Sequence, residues 1–280
     1  MTPAPVAARP AVWPVLVAYV VAFFAAFVAS TAMVLAVGLR SSGGDSSKLE
    51  AATRRFAVSA PGLLGSASLT AVVLVVVALV TARLGGKDVV ARLRLGPTRA
   101  SPIGLVAAVL GFGGLSVAGS QAVDLLGIGG GGVMETMSAA LRSSDPAREA
   151  LAILALGVAP GLAEEGFFRG LLQRRITAGW GRWAGVLVSA AAFGLFHVDP
   201  VQGAVAFVAG LYLAGLADRF GGIRPTIAVH TLNNAVFVLS ATQASDEAAS
   251  RTQTVVLLVV GVVVCAVSIV VLRTRVAVRG

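Results

Sequence analysis

The sequence predicts an all-α, polytopic bundle of about eight transmembrane helices, and three observations predict it. Hydrophobic residues make up 57% of the 280-residue chain, charged residues only 12%, and the mean hydropathy is +0.89, outside the range of soluble globular domains. The apolar residues fall in runs near 12–39, 60–82, 102–126, 149–173, 183–198, 201–217, 225–241 and 253–272, against the roughly 20 residues needed to cross about 30 Å of hydrocarbon. These runs are continuous rather than alternating, which excludes a strand-built barrel.

The first run is about 28 residues long, too long for the roughly 7 to 15 residues of a signal-peptide core, and it reads as a retained span. With the second and third it makes residues 1–149 an N-terminal unit of three spans and loops. Four glycines, Gly129 to Gly132, mark a flexible break before the fourth run. The fifth to seventh runs are short, and Asp199-Pro200 makes the tightest connection between them. Residues 150–240 form a core that concentrates the polar residues of the spans, and 241–280 hold the last span and a basic tail. Cys265 is the single cysteine; an intrachain disulfide and a cysteine zinc site are excluded, and packing is its expected role.

An even number of spans puts both ends on one side. Placing them in the cytoplasm assigns 14 Lys and Arg to that side and seven to the other, with nine of the 13 acidic residues outside, as the positive-inside rule requires. The net charge of +9 is thus a signature of a multi-pass protein of the cell membrane. Nucleic acid is not an expected partner, because no soluble basic face with stacking aromatics exists. The basic loop around residues 83–99 suits anionic lipid headgroups of the bilayer.

The fourth run carries Glu164, Glu165 and Arg169 where hydrocarbon makes charge expensive, so the acids mark a functional site. Glu165 and Arg169 have the i, i+4 spacing and order of an ion pair on one helix face. Glu164 points elsewhere and has no local partner, which suits a proton acceptor. Gly157, Pro160 and Gly161 loosen the helix upstream, Pro160 by removing a backbone hydrogen bond to Leu156. The only two histidines follow in other apolar runs. Phe193 lies one turn before His197 as a buttress, and Asn234 lies one turn beyond His230 on the same face. A carboxylate, two imidazoles and an amide are the parts of a hydrolytic site: Glu164 and His197 to take a proton from water, His230 and Asn234 to donate to an oxyanion. Neither Ser189 nor Ser240 has a base at matching depth, so a covalent route is not expected.

Glu164-Glu165-x-x-x-Arg169, Phe193-x-x-x-His197 and His230-x-x-x-Asn234, in that order on separate runs, resemble the three motifs of the CPBP family, the type II CAAX prenyl endopeptidases and their bacterial relatives. The resemblance covers about residues 150–240 and implies a helical intramembrane protease acting on a membrane-associated protein or peptide substrate. It implies catalytic roles for Glu164, His197, His230 and Asn234, supported by Glu165, Arg169 and Phe193. Members are often labelled metalloproteases, and Glu164, His197 and His230 would supply a two-histidine, one-carboxylate zinc site. The His-Glu-x-x-His signature is absent, so a metal-free water activated by glutamate is the expectation, with zinc as the alternative cofactor. Two other functions share these residues: a proton-coupled transporter in which Glu164, His197 and Asn234 line a relay, and an immunity or scaffold protein that keeps the fold without catalysis. A tight polar cluster favours hydrolysis; a string across the membrane favours transport.

Overall fold

A computed structural model describes residues 9–129, 133–142, 145–242 and 250–275. Three of the four glycines expected to break the third loop (130–132), and the end of the basic tail, lie outside the described residues. Among the described residues the architecture is all-helical, with 86% helix and no strand. Its helices are α1 (Trp13–Ser41), α2 (Ser46–Ala57), α3 (Ala60–Leu84), α4 (Val89–Arg92), α5 (Pro102–Leu126), α6 (Val133–Leu141), α7 (Pro146–Trp180), α8 (Arg182–Phe196), α9 (Pro200–Phe220), α10 (Arg224–Thr242) and α11 (Arg251–Arg275).

Among the described residues six helices, α1, α3, α5, α7, α9 and α11, are long and apolar enough to cross a membrane. The eight expected spans are therefore approximate. Helix α8 has 15 residues, about 22 Å at 1.5 Å per residue, which falls short of the hydrocarbon thickness. Helix α10 has 19 residues, but His230, Asn233 and Asn234 remove it from the apolar set.

Local chemistry sets the ends. Ser59 and Ser101 cap α3 and α5 by accepting from Gly62 and Gly104 N–H, each with proline in the first turn, where its missing N–H is harmless. Asp45 caps α2 by accepting from Ser47 N–H, and that hydrogen bonding holds its carboxyl below the usual range. Asp199 caps α9. The turn before it places Val198 at φ +63°, a rare conformation for a β-branched residue.

Helix α7 is the axis of the bundle. It is π-helical over Ile153–Val158 and Glu165–Gln173. The first stretch ends just before Pro160, whose ring would clash with the carbonyl of Leu156 in a regular helix; bonds of i→i+5 type absorb the proline. The second stretch is buried nearly all round, because α3, α8 and α9 pack against it. Arg169 Nη2 and Gln173 Nε2 reach the carbonyls of Gly210 and Ala214 on α9, at 3.4 and 3.0 Å.

Small residues let the other helices approach. A Cβ on Gly194 or Gly203 would meet the other's carbonyl at 2.7 or 2.9 Å, which fixes the α8–α9 hairpin. Gly114 and Gly261 do the same for α5 and α11, at 2.7 and 2.6 Å. The N-terminus of α1 docks beside the end of α7, where Arg175 Nε donates to Ala11 O at 2.8 Å. The connection after α3 pairs with the α9–α10 turn through Arg99 N–H to Phe220 O (2.9 Å) and Ile223 N–H to Arg94 O (3.1 Å). The loops around 83–99, 174–182 and 218–224 thereby gather at one end of the bundle.

Candidate active site

The π-helical stretch of α7 opens with Glu165, which is fully buried. Its Oε1 accepts from Arg169 Nη1 at 2.8 Å and from His230 Nδ1 at 3.0 Å. The Arg169 guanidinium, also fully buried, lies over the Phe193 ring, 4.3 Å from its centroid. The ion pair expected from spacing thus forms, and it is extended by a histidine 65 residues away.

Glu164, which sequence spacing leaves without a partner, finds one on another helix. Its Oε2 stands 3.7 Å from His230 Nε2, with 16% of the side chain exposed. That distance is an electrostatic contact rather than a direct hydrogen bond. His230 is consequently held between two carboxylates, one on each ring nitrogen, and Nδ1 is fixed as the donor to Glu165.

His197 ends α8 and is half-buried. Its Nδ1 donates to the Phe193 carbonyl at 2.9 Å, which leaves Nε2 uncommitted and able to accept a proton. Phe193 joins the two histidines: its ring meets that of His197 at 5.0 Å and that of His230 at 6.0 Å, edge to face in both cases. Asn234, one turn beyond His230, is half-buried and its side chain makes no hydrogen bond among the described residues; its amide is available to a ligand. The structure therefore brings Glu164, Glu165, Arg169, Phe193 and His230 into one cluster and ties His197 to it through Phe193, with Asn234 alongside on α10.

Two neighbours of the cluster are not legible in the sequence. Phe112 of α5 packs edge-on against His230 at 6.1 Å, so the third span contributes to the surroundings of the cluster. Thr226, fully buried, flanks the Glu165 carboxylate while its hydroxyl donates to Ile223 O at 2.9 Å.

Among the described residues no three His, Cys, Asp or Glu side chains stand where they could share a metal ion. His230 and His197 commit only Nδ1, to Glu165 and to a backbone carbonyl, contacts that a histidine ligating through Nε2 also keeps, but Glu164, His197 and His230 are not drawn together into such a group.

Comparison with known proteins agrees with the motifs. Residues 146–236 match the family model described as Type II CAAX prenyl endopeptidase Rce1-like, from the start of α7 through Asn234. The match supports a CPBP, or CAAX-protease, family for this segment, within a multi-pass membrane protein. No curated protein and no solved structure matches it.

Proposed function

We propose that the protein is an intramembrane endopeptidase that hydrolyses peptide bonds of membrane-associated substrates through a water activated by Glu164 and His197. The observation that carries the reading is the seat of His230 between two carboxylates, inside the bundle and beside an uncommitted amide. Glu164 takes a proton from water, with His197 Nε2 accepting a hydrogen bond from it, and the hydroxide oxygen bonds to the scissile carbonyl carbon. The carbonyl oxygen becomes an oxyanion that accepts from His230 Nε2–H and the Asn234 amide. In that role both nitrogens of His230 carry hydrogen; Glu165 stabilises the positive ring throughout, and Glu164 does so only until it takes the proton from water. The C–N bond then breaks as Glu164 passes its proton to the leaving amine. Glu165 and Arg169 touch no reacting atom; they orient His230 and Phe193.

Clustering of these groups about one imidazole, rather than along the membrane normal, supports hydrolysis over a proton relay. Both termini belong in the cytoplasm on this reading. The arginine-rich loops support that orientation, since they gather at one end of the bundle, the end that also carries Trp13, Trp180 and Trp183.

The test compares membrane proteomes of cells expressing wild-type protein and Glu164→Gln at equal levels, reading new peptide termini. Glu164→Gln keeps shape and removes proton acceptance, so cleavage falls by about 10² to 10⁴. The same termini at the same abundance in both would overturn the glutamate-base mechanism.

A further inference from the structure

At the end of the bundle that carries the tryptophans, four arginines from two elements converge. Arg92 and Arg94 follow α3; Arg174 and Arg175 lie on α7. Arg174 is close enough to feel the positive charge of the other three, opposed by Asp88. The approach is built into the backbone. Gly170, one turn before Arg174, lies so near the Leu93 carbonyl that a Cβ would come within 2.6 Å of it. The Arg92 guanidinium lies across Gly85 and Gly86, and a Cβ on either would displace it. Gly86 also sits at φ +153°, where other residues are strained.

The nearby acids are already engaged. Asp218 takes Arg94 at 3.2 Å, Arg182 at 3.3 Å and Gln173 at 2.9 Å. Asp88 caps α4 by accepting from Ala91 N–H at 2.9 Å, and Arg175 Nε is held by the Ala11 carbonyl. Among the described residues the side chains of Arg92 and Arg174 have neither a hydrogen bond nor an ion pair. Two guanidinium groups near each other, with Asp88 the one acid that reaches Arg174 and no ion pair formed to it, form a site for an anion, and their fork geometry suits phosphate oxygens.

We propose that Arg92 and Arg174 bind the phosphodiester of an acidic phospholipid headgroup. The level of the site argues for lipid over a dissolved ion: Trp180 and Trp183 are 53% and 70% exposed beside it, and tryptophan marks the headgroup region. A headgroup here clamps the α3–α5 connection to α7. The same connection holds the α9–α10 turn, from which α10 rises to His230, so lipid binding braces the floor of the candidate site. The site stands whether or not the chain is a protease.

The test uses the full chain purified in uncharged detergent. Thermal unfolding is followed with added phosphatidylglycerol, phosphatidylcholine or inorganic phosphate, and retained lipid is counted by native mass spectrometry. Phosphatidylglycerol is expected to raise the melting temperature by roughly 3 to 5 °C through preferential binding to the folded state, less at high salt, while phosphatidylcholine leaves it unchanged. Arg92→Gln and Arg174→Gln should each weaken phosphatidylglycerol binding about tenfold; Arg55→Gln, the same charge loss on α2 at the opposite end, should not. Arg92→Lys and Arg174→Lys, which keep the charge, provide the comparison if a glutamine variant is poorly folded, and should weaken binding less than threefold or so. Equal stabilisation of wild type and both glutamine variants would refute the site. An inorganic phosphate effect as large as that of the lipid at equal phosphate concentration would refute the headgroup assignment.

Discussion

Glu165→Gln should cost stability before it costs chemistry. Glu165 and Arg169 are both 0% exposed, so the substitution leaves a buried guanidinium without its counter-charge. What remains to it is the Gly210 carbonyl at 3.4 Å and the face of Phe193 at 4.3 Å. Removing one partner of a buried pair costs about 3 to 5 kcal/mol. Because the Phe193 ring, worth about 1 to 2 kcal/mol when desolvated, stays in place, and because glutamine still accepts one hydrogen bond, a loss near 3 kcal/mol is expected. At about 2 to 4 °C per kcal/mol for a chain of this size, the melting temperature should fall by roughly 6 to 12 °C. Tryptophan fluorescence of purified protein in detergent reads it. Arg169→Met strands the acid instead and should cost a similar amount. The double variant removes both charges and should lie within about 1 kcal/mol of wild type, a coupling of about 5 kcal/mol. Glu164→Gln is the internal comparison: its side chain is partly exposed and 3.7 Å from its partner, so its melting temperature should stay close to that of wild type. The reasoning fails if Glu165→Gln melts within about 2 °C of wild type, or if the double variant loses the sum of the singles.

Two further outcomes follow from packing and topology. Gly114→Val places a Cβ about 2.7 Å from the Gly261 carbonyl and should force α5 and α11 apart, lowering stability by about 1 to 3 kcal/mol; Gly113→Val, on a face open to space, is the comparison, and equal melting of the two would count against the α5–α11 contact. In a Cys265→Ala background, Lys48→Cys, whose side chain is 70% exposed at the end away from the tryptophans, should react with an impermeant thiol reagent in intact cells; reaction only after lysis would reverse the orientation.

Helix positions were legible because hydrocarbon imposes a simple rule. The run read as 102–126 is α5 at both ends, bounded by the Ser101 cap and by Gly127 in the left-handed region. The Glu165–Arg169 pair and the Phe193–His197 contact were legible for the same local reason, since spacings of four residues bring side chains together on one helix. Contacts between helices were not. Phe112 lies in a helix apolar on every face, where no period tells lipid-facing from core-facing residues, so its contact with His230 leaves no trace in the sequence. The 93–99 segment likewise pairs through backbone groups with residues 220–223, and backbone groups carry no residue code.

The placement of the two glutamates shows why a change in backbone geometry, invisible to periodicity, matters most. On a regular α-helix neighbouring side chains diverge by about 100°, which on sequence grounds separates Glu164 from the Glu165–Arg169 face. In the structure both carboxylates address one imidazole. The helix turns π-helical at Glu165, and bonds of i→i+5 type put more residues into each turn, which reduces the divergence between neighbours. Burial then divides their work. Glu165, sealed and tied to Arg169, fixes which nitrogen of His230 donates. Glu164, on the partly exposed side of the same ring, carries no hydrogen bond of its own, and on the proposed mechanism it is the carboxylate left free to take and return a proton.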